Sequence, residues 1–207
     1  MTTYFTADWH LGHARIIELC SRPFVDAAQM NRQIIRNMND VVGEDDTLII
    51  LGDVVMGQYA ANVELLSALR SRRVLIIPGN HDRFSLAYRG NETAREAARM
   101  ALVNLGLWAQ EDRRPSQWET TIGGHMALLS HYPYVGDSTE QVRFADLRPK
   151  DEGLPLVHGH DHERWREPGR QLNVRGDGCG RGASSPMRSG SWSTRPRTRG
   201  MVGCLSR

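Results

Sequence analysis

Lysine is almost missing from this chain: of 26 basic residues among 207, only Lys150 is not arginine. Such a bias reflects a GC-rich coding sequence more than a binding requirement. Cysteine is scarce as well. Cys20, Cys179 and Cys204 form an odd set with no CxxC pair, which favours a reducing, cytoplasmic setting over a disulfide framework, and none lies in a cluster of candidate ligands, which excludes a thiolate zinc site. No apolar run approaches the roughly 20 residues that would cross a bilayer, so no membrane association is expected. The opening Met1-Thr2-Thr3-Tyr4-Phe5-Thr6 has neither a basic nor a long apolar segment of the kind a secretory leader needs. There is no internal repeat.

What is present is an ordinary globular composition, 40% hydrophobic and 24% charged, at a length suited to one domain with its own core. Disordered, collagen-like and coiled-coil chains are thereby excluded. The net charge of +2 hides an asymmetry: Arg181–Arg207 carries six arginines and no acid, so the preceding body is mildly acidic, at −4. An acidic body is a poor track for a phosphate backbone, and nucleic acid is not the expected partner.

Short apolar strands alternate with helical patterns. Strands are expected at Thr2–Ala7, Thr47–Leu51, Val74–Ile77 and Leu154–Val157, and an antiparallel hairpin at Trp118–Ile122 and Met126–Leu129 around Gly123-Gly124. Helices are expected at Ala14–Cys20, Asp26–Val42, Tyr59–Leu69 and Glu92–Leu105. That alternation predicts an α/β layered fold occupying residues 1–174. Beyond Val174, Gly, Ser and Arg take over and apolar periodicity ends, so residues 175–207 are expected to form a weakly ordered tail.

Five of the strands run into polar clusters: Asp8-Trp9-His10, Gly52-Asp53, Gly79-Asn80-His81-Asp82, Ser130-His131-Tyr132-Pro133 and Gly159-His160-Asp161-His162. Each alone is unremarkable, since a strand-terminal Asp commonly caps a helix or shapes a turn. Together they supply oxygen and imidazole donors suited to divalent Mn, Fe, Co, Ni or Zn. Asp8, His10, Asp53, Asn80, His131, His160 and His162 are too many for one ion with an open position. With Asp53 bridging they fill two four-donor sets, the arrangement used for in-line phosphoryl displacement. Glycines beside Asp53, Asn80 and His160 would let backbone turn sharply and approach closely. His125 stands alone and is left out of the site.

The order Asp-x-His, Gly-Asp, Gly-Asn-His-Asp, His, Gly-His-x-His resembles the motif set of calcineurin-like metallophosphoesterases. Phe5–His13 followed by Arg22-Pro23-Phe24 is similar to the small stand-alone bacterial and phage members. The resemblance implies a four-layer α/β/β/α sandwich with the metals at the carboxyl ends of the strands. It implies that Asp8, His10, Asp53 and His162 hold one ion and Asp53, Asn80, His131 and His160 the other. His81 would be the proton donor, and Asp82 would orient it or its neighbours. His13 and Arg22 lie close to the site in sequence, as phosphate contacts or as ordinary capping or surface residues. The chain departs from the family pattern after Leu172-Asn173-Val174, where Arg175-Gly176-Asp177 replaces a closing strand. A shift of reading frame near Val174 would account for a tail of unrelated composition.

The expected activity is hydrolysis of small phosphodiesters, cyclic nucleotides foremost, by a hydroxide held between two ions, with Mn²⁺ the first choice of metal. Phosphomonoesterase or nuclease activity of the same family is the alternative. A nucleic-acid-binding protein acting through the arginine-rich tail is the alternative from another class.

Overall fold

A computed structural model describes residues 1–112, 114–137, 141–161 and 170–175, together with the backbone of Met187–Arg188. Two β-sheets pack face to face. The first has the order β4-β3-β2-β1-β9, with β1 (Thr3–Thr6), β2 (Thr47–Leu51), β3 (Arg73–Ile77) and β4 (Trp108–Ala109) parallel, and β9 (Met187–Arg188) antiparallel at the edge. The second has the order β5-β6-β7-β8, built from β5 (Trp118–Ile122), β6 (His125–Leu129), β7 (Leu156–His158) and β8 (Gln171–Asn173). Within it, β5 and β6 form the antiparallel hairpin, and β6, β7 and β8 run parallel.

Alternation along the strands sorts the apolar side chains into two cores. Phe5, Ile49, Leu51 and Ile77 of the first sheet face Ile122, Ala127, Leu129 and Val157 of the second, closing the space between the sheets. Tyr4, Leu48, Ile50, Val74 and Ile76 point the other way and meet the helices. Those helices are α1 (Arg15–Leu19), α2 (Ala27–Val41), α3 (Tyr59–Val63) and α4 (Glu92–Asn104). In α2 the stripe Met30, Ile34, Ile35 and Met38 is buried at helical spacing, and Asp26 caps the first turn by accepting from the Gln29 N–H at 2.6 Å. The helix expected to run to Leu69 tightens after Val63 into a 3₁₀ turn, Glu64–Ala68, where the Ser67 hydroxyl donates to the Glu64 carbonyl.

This gives the mixed α/β, two-sheet sandwich expected, with helices over the outer face of the first sheet. Over the second sheet, Leu128, Leu156 and His158 alternate outward yet are buried. The chain after His131 returns over that side, tied down by Tyr134, whose N–H donates to Gln171 Oε1 and whose hydroxyl donates to the Leu154 carbonyl. No described residue there is helical.

Most of the expected tail, residues 176–207, lies outside the described residues. Within it, Met187–Arg188 pairs antiparallel with Phe5 and Tyr4 as an edge strand, which the composition of that segment did not suggest. β4 and β8 were also missed, being only two and three residues long.

Candidate metal centre

β1 and β2 are parallel neighbours, so their carboxyl ends emerge side by side and the following loops run on together. The Asp8 N–H donates to the Gly52 carbonyl, His10 to Asp53, Leu11 to Val54, and Met56 back to Leu11. Asp8 (φ 59°), His10 (φ 52°), Asp53 (φ 55°) and His160 (φ 72°) all lie in the left-handed region. Non-glycine residues there carry strain of about 1–3 kcal/mol each, and Asp, Asn and His are the types that tolerate it best. These are also the types that bind metals. The glycines matter at Gly52: a Cβ there would stand 2.6 Å from the Gly79 backbone and 2.7 Å from His131 Nδ1. Only a bare backbone lets the β2 and β3 ends and the His131 ring converge.

Asp53 is the hub. Its Oδ2 lies 3.8 Å from His10 Nε2, 3.6 Å from His131 Nε2 and 4.0 Å from His81 Nε2, and its Oδ1 accepts the His81 backbone N–H at 2.8 Å. Burial pushes this carboxyl up, but His131, His10 and His81 with the His81 amide outweigh it and hold it below the usual range. Donor atoms of Asp8, Asp53 and His131 lie within 4.8 Å of one another, all buried.

His131 Nδ1 donates to the Leu51 carbonyl at 2.8 Å, since a carbonyl can only accept. The His131 Nε2 faces Asn80 Oδ1 at 3.1 Å, and His160 Nδ1 completes the group, 2.9 Å from Asn80 Oδ1 and 3.2 Å from His131 Nε2. Two imidazole nitrogens and an amide oxygen converging on one point are a donor set suited to a divalent cation. Donors held at about 2.1 Å by one tetrahedral or octahedral ion stand about 3.0–3.4 Å apart, the spacing seen here. Burial and the neighbouring His131 bring His160 down to about 3, so it is neutral and able to ligate at physiological pH. The residues present fit a divalent metal.

Of the seven expected donors, six are described, and Asp8, His10, Asp53, Asn80, His131 and His160 come together at the strand ends. His162 lies outside the described residues. The Asp8 carboxylate also accepts from the His160 backbone N–H, at 3.1 and 3.3 Å to its two oxygens, joining the first and last motifs across 152 residues.

His81 is set apart by exposure: its side chain is 45% accessible, while those of His10, Asp53, His131 and His160 are 0–3%. Asp82 is buried beneath, and its two oxygens accept the backbone N–H groups of Asp53, Val54 and Gly79 at 2.7, 2.9 and 2.8 Å. Burial and the Asp53 charge push the Asp82 carboxyl up to about 7, against those amides and His131, which favour its ionised form. Asp82 touches no open space; it fixes the loop that carries Asp53.

Arg22 is neither a phosphate contact nor a surface residue. It is buried, and its guanidinium donates to the carbonyls of Asp8 and Trp9, both at 2.8 Å, clamping the left-handed turn from behind. His13 packs 5.8 Å from His10 between ring centroids, and burial with the nearby His81, Arg22 and Arg15 lowers its pKa. Sequence reasoning also missed Asp137, a buried carboxylate held by Arg143 and Arg148 beside His160. Its only sequence signal is Gly136-Asp137 in a segment without strand or helix pattern.

Residues 1–164 match the family model of the calcineurin-like phosphoesterases. The chain belongs to that family. It is 36% identical over 168 residues to the Gene 66 protein of Mycobacterium phage D29, covering 78% of each chain, and 35% identical over 163 residues to the Gene 66 protein of Mycobacterium phage L5, covering 77% of each. It also resembles in fold a crystal structure from Aquifex aeolicus of a protein of unknown function. That likeness has a TM-score of 0.62 and 22% identity, over 90% of this chain and 95% of that one. The protein is thus a member of a hydrolase family acting on phosphoesters, with a candidate metal cluster at its strand ends.

Proposed function

We propose that this calcineurin-like phosphoesterase hydrolyses small phosphodiesters, cyclic nucleotides foremost, at a centre of two divalent cations, with Mn²⁺ the expected ion. The observation that carries the reading is the convergence of Asp8, Asp53, Asn80, His131 and His160 beneath one accessible imidazole, His81. When bound, the cations supply charge for the phosphoryl oxygens and a nucleophile from water at neutral pH. Asp8 and His10, with Asp53 shared, would hold one ion, with the residue at 162 as the remaining donor. Asp53, Asn80, His131 and His160 would hold the other. His81 stands at the solvent side of Asp53, placed to give a proton to the departing alkoxide.

Charge supports a diester over a monoester as the substrate. A monoester dianion demands an additional cationic partner. Among the described residues, Arg22 is committed to the Asp8 and Trp9 carbonyls, Arg143 and Arg148 to Asp137, and Arg83 to the Gly57 carbonyl. A singly charged diester fits what remains.

The test is a panel of nitrophenyl monoesters and diesters, 2′,3′- and 3′,5′-cyclic nucleotides and single-stranded DNA, assayed with Mn²⁺ and with chelator. Metal-dependent turnover is expected on diesters above monoesters, with DNA uncleaved. Turnover undiminished by chelation would refute the metal centre, and faster monoester turnover would refute the diester assignment.

A further inference from the structure

His10 is buried, and a residue that belongs to none of the ligand motifs reaches one of its ring nitrogens. Met56 Sδ is hydrogen-bonded to His10 Nδ1 at 3.1 Å, while His10 Nε2 stands 3.8 Å from Asp53 Oδ2. One short stretch of chain thus meets both nitrogens of the ring, Asp53 at Nε2 and, three residues on, Met56 at Nδ1.

That stretch is tied to the loop carrying His10. The His10 N–H donates to the Asp53 carbonyl at 2.9 Å and the Met56 N–H to the Leu11 carbonyl at 2.8 Å, with Leu11 and Val55 paired between them. Asn62 Nδ2 donates to the Met56 carbonyl at 2.7 Å, so the main chain of Met56 is held at both its amide and its carbonyl. The His10 ring also has His13 at 5.8 Å and His81 at 5.5 Å between centroids. A thioether sulfur has lone pairs and no hydrogen to give. The contact is therefore a bond only when Nδ1 carries a proton, and a neutral imidazole protonated there presents a bare Nε2.

We propose that Met56 is a positioning residue for His10: its sulfur accepts the Nδ1–H and so directs the Nε2 lone pair to the cation that His10 would share with Asp8 and Asp53. The Leu51 carbonyl plays the corresponding part for His131, accepting from Nδ1 at 2.8 Å. Leu51 ends β2 and Met56 lies five residues beyond it, with Asp53 between. The segment that supplies the shared carboxylate therefore also orients one imidazole of each ion. The two devices differ in kind. The outer partner of a ligating histidine is ordinarily a carboxylate, a carbonyl or water; a thioether is a weaker acceptor and adds no negative charge beside Asp8 and Asp53. This inference rests on the two-cation reading above for its purpose, while its geometry concerns the metal-free chain.

The test uses the intact metal-free protein labelled with ¹⁵N-histidine, with the His10 resonances assigned by their loss in His10→Gln. Long-range proton–nitrogen correlation is expected to show a protonated Nδ1 at His10 in the wild type. In Met56→Leu, which keeps the apolar bulk and removes the acceptor, the proton should shift toward Nε2. Calorimetric titration with Mn²⁺ alone is expected to show two binding events in the wild type. In Met56→Leu one of them should weaken by about 10-fold, the lower end of the usual effect of losing such a partner, and Met56→Gln should recover part of the loss through its amide oxygen. A bare Nδ1 in the wild type would overturn the proposal whether or not the variants fold. So would a folded Met56→Leu that keeps the wild-type tautomer and binds Mn²⁺ as tightly at both sites. Absence of Mn²⁺ binding in the wild type itself would refute the metal centre instead, and the state of Nδ1 would still decide the contact.

Discussion

Asp82 grips Asp53 by its main chain: one Asp82 oxygen accepts the Asp53 N–H at 2.7 Å and the Gly79 N–H at 2.8 Å, while the other accepts from Val54 at 2.9 Å. A single carboxylate thus ties the carboxyl ends of β2 and β3 together under the shared donor. Asp82→Asn keeps an acceptor oxygen for the Asp53 and Gly79 N–H groups but turns an amide NH₂ on the Val54 N–H. Leaving one buried N–H unsatisfied costs about 1–3 kcal/mol, and for a chain of this size that lowers Tm by about 3–10 °C. Thermal unfolding of the metal-free protein measures it, and an unchanged Tm would show that the three amides find other partners.

Asp53→Asn removes the charge that both donor sets share while keeping the shape. Turnover should fall by about three orders of magnitude, equivalent to about 4 kcal/mol of barrier. Bound Mn²⁺ should drop below two per chain by elemental analysis. Two ions retained with full turnover would contradict the bridging role.

His81→Ala should separate proton donation from ligation. General-acid help is worth about 10²–10⁴-fold, and a ribose alkoxide needs it where nitrophenolate does not. The expected result is a large loss on a cyclic nucleotide, a much smaller one on a nitrophenyl diester, and unchanged metal content. Equal losses on the two substrates would make His81 a stabiliser of phosphoryl charge, and loss of metal would make it a ligand.

Arg22→Met should behave as damage to a scaffold. Two carbonyls lose charged donors in a buried site, a loss of about 3 kcal/mol, or about 6–12 °C in Tm. The KM for a small diester should stay within about twofold while kcat falls. A KM raised tenfold with Tm intact would mean that the guanidinium reaches substrate after all.

Much of this site was legible because its donors sit just past the ends of strands. Asp8, His10, Asp53, Asn80 and His131 each follow a short apolar run that can be recognised by composition alone, and β2 falls on Thr47–Leu51 as expected. The supporting contacts were not legible. Arg22 reads as a surface arginine until α1 and the loop after it fold its guanidinium under the Asp8 turn. Asp137, Arg143 and Arg148 lie within 12 residues of one another, yet nothing in their spacing has a period, because a loop folded over a sheet face follows its own hydrogen bonds. The short strands β4 and β9 escaped for a related reason: two residues are too few for alternation to declare itself, and only their neighbours in the sheet define them.

The four donors in left-handed backbone have a consequence for engineering. At Asp8, His10, Asp53 and His160 the lowest-energy backbone residue is glycine or asparagine, and two of the four bury an acid close to others. A library selected for heat resistance in chelator would therefore be rewarded for dismantling the centre, beginning with Asp-to-Asn changes that relieve charge without disturbing shape. Selection for thermal tolerance should be run with metal present, so that the ions offset the strain and the winning substitutions fall elsewhere in the chain.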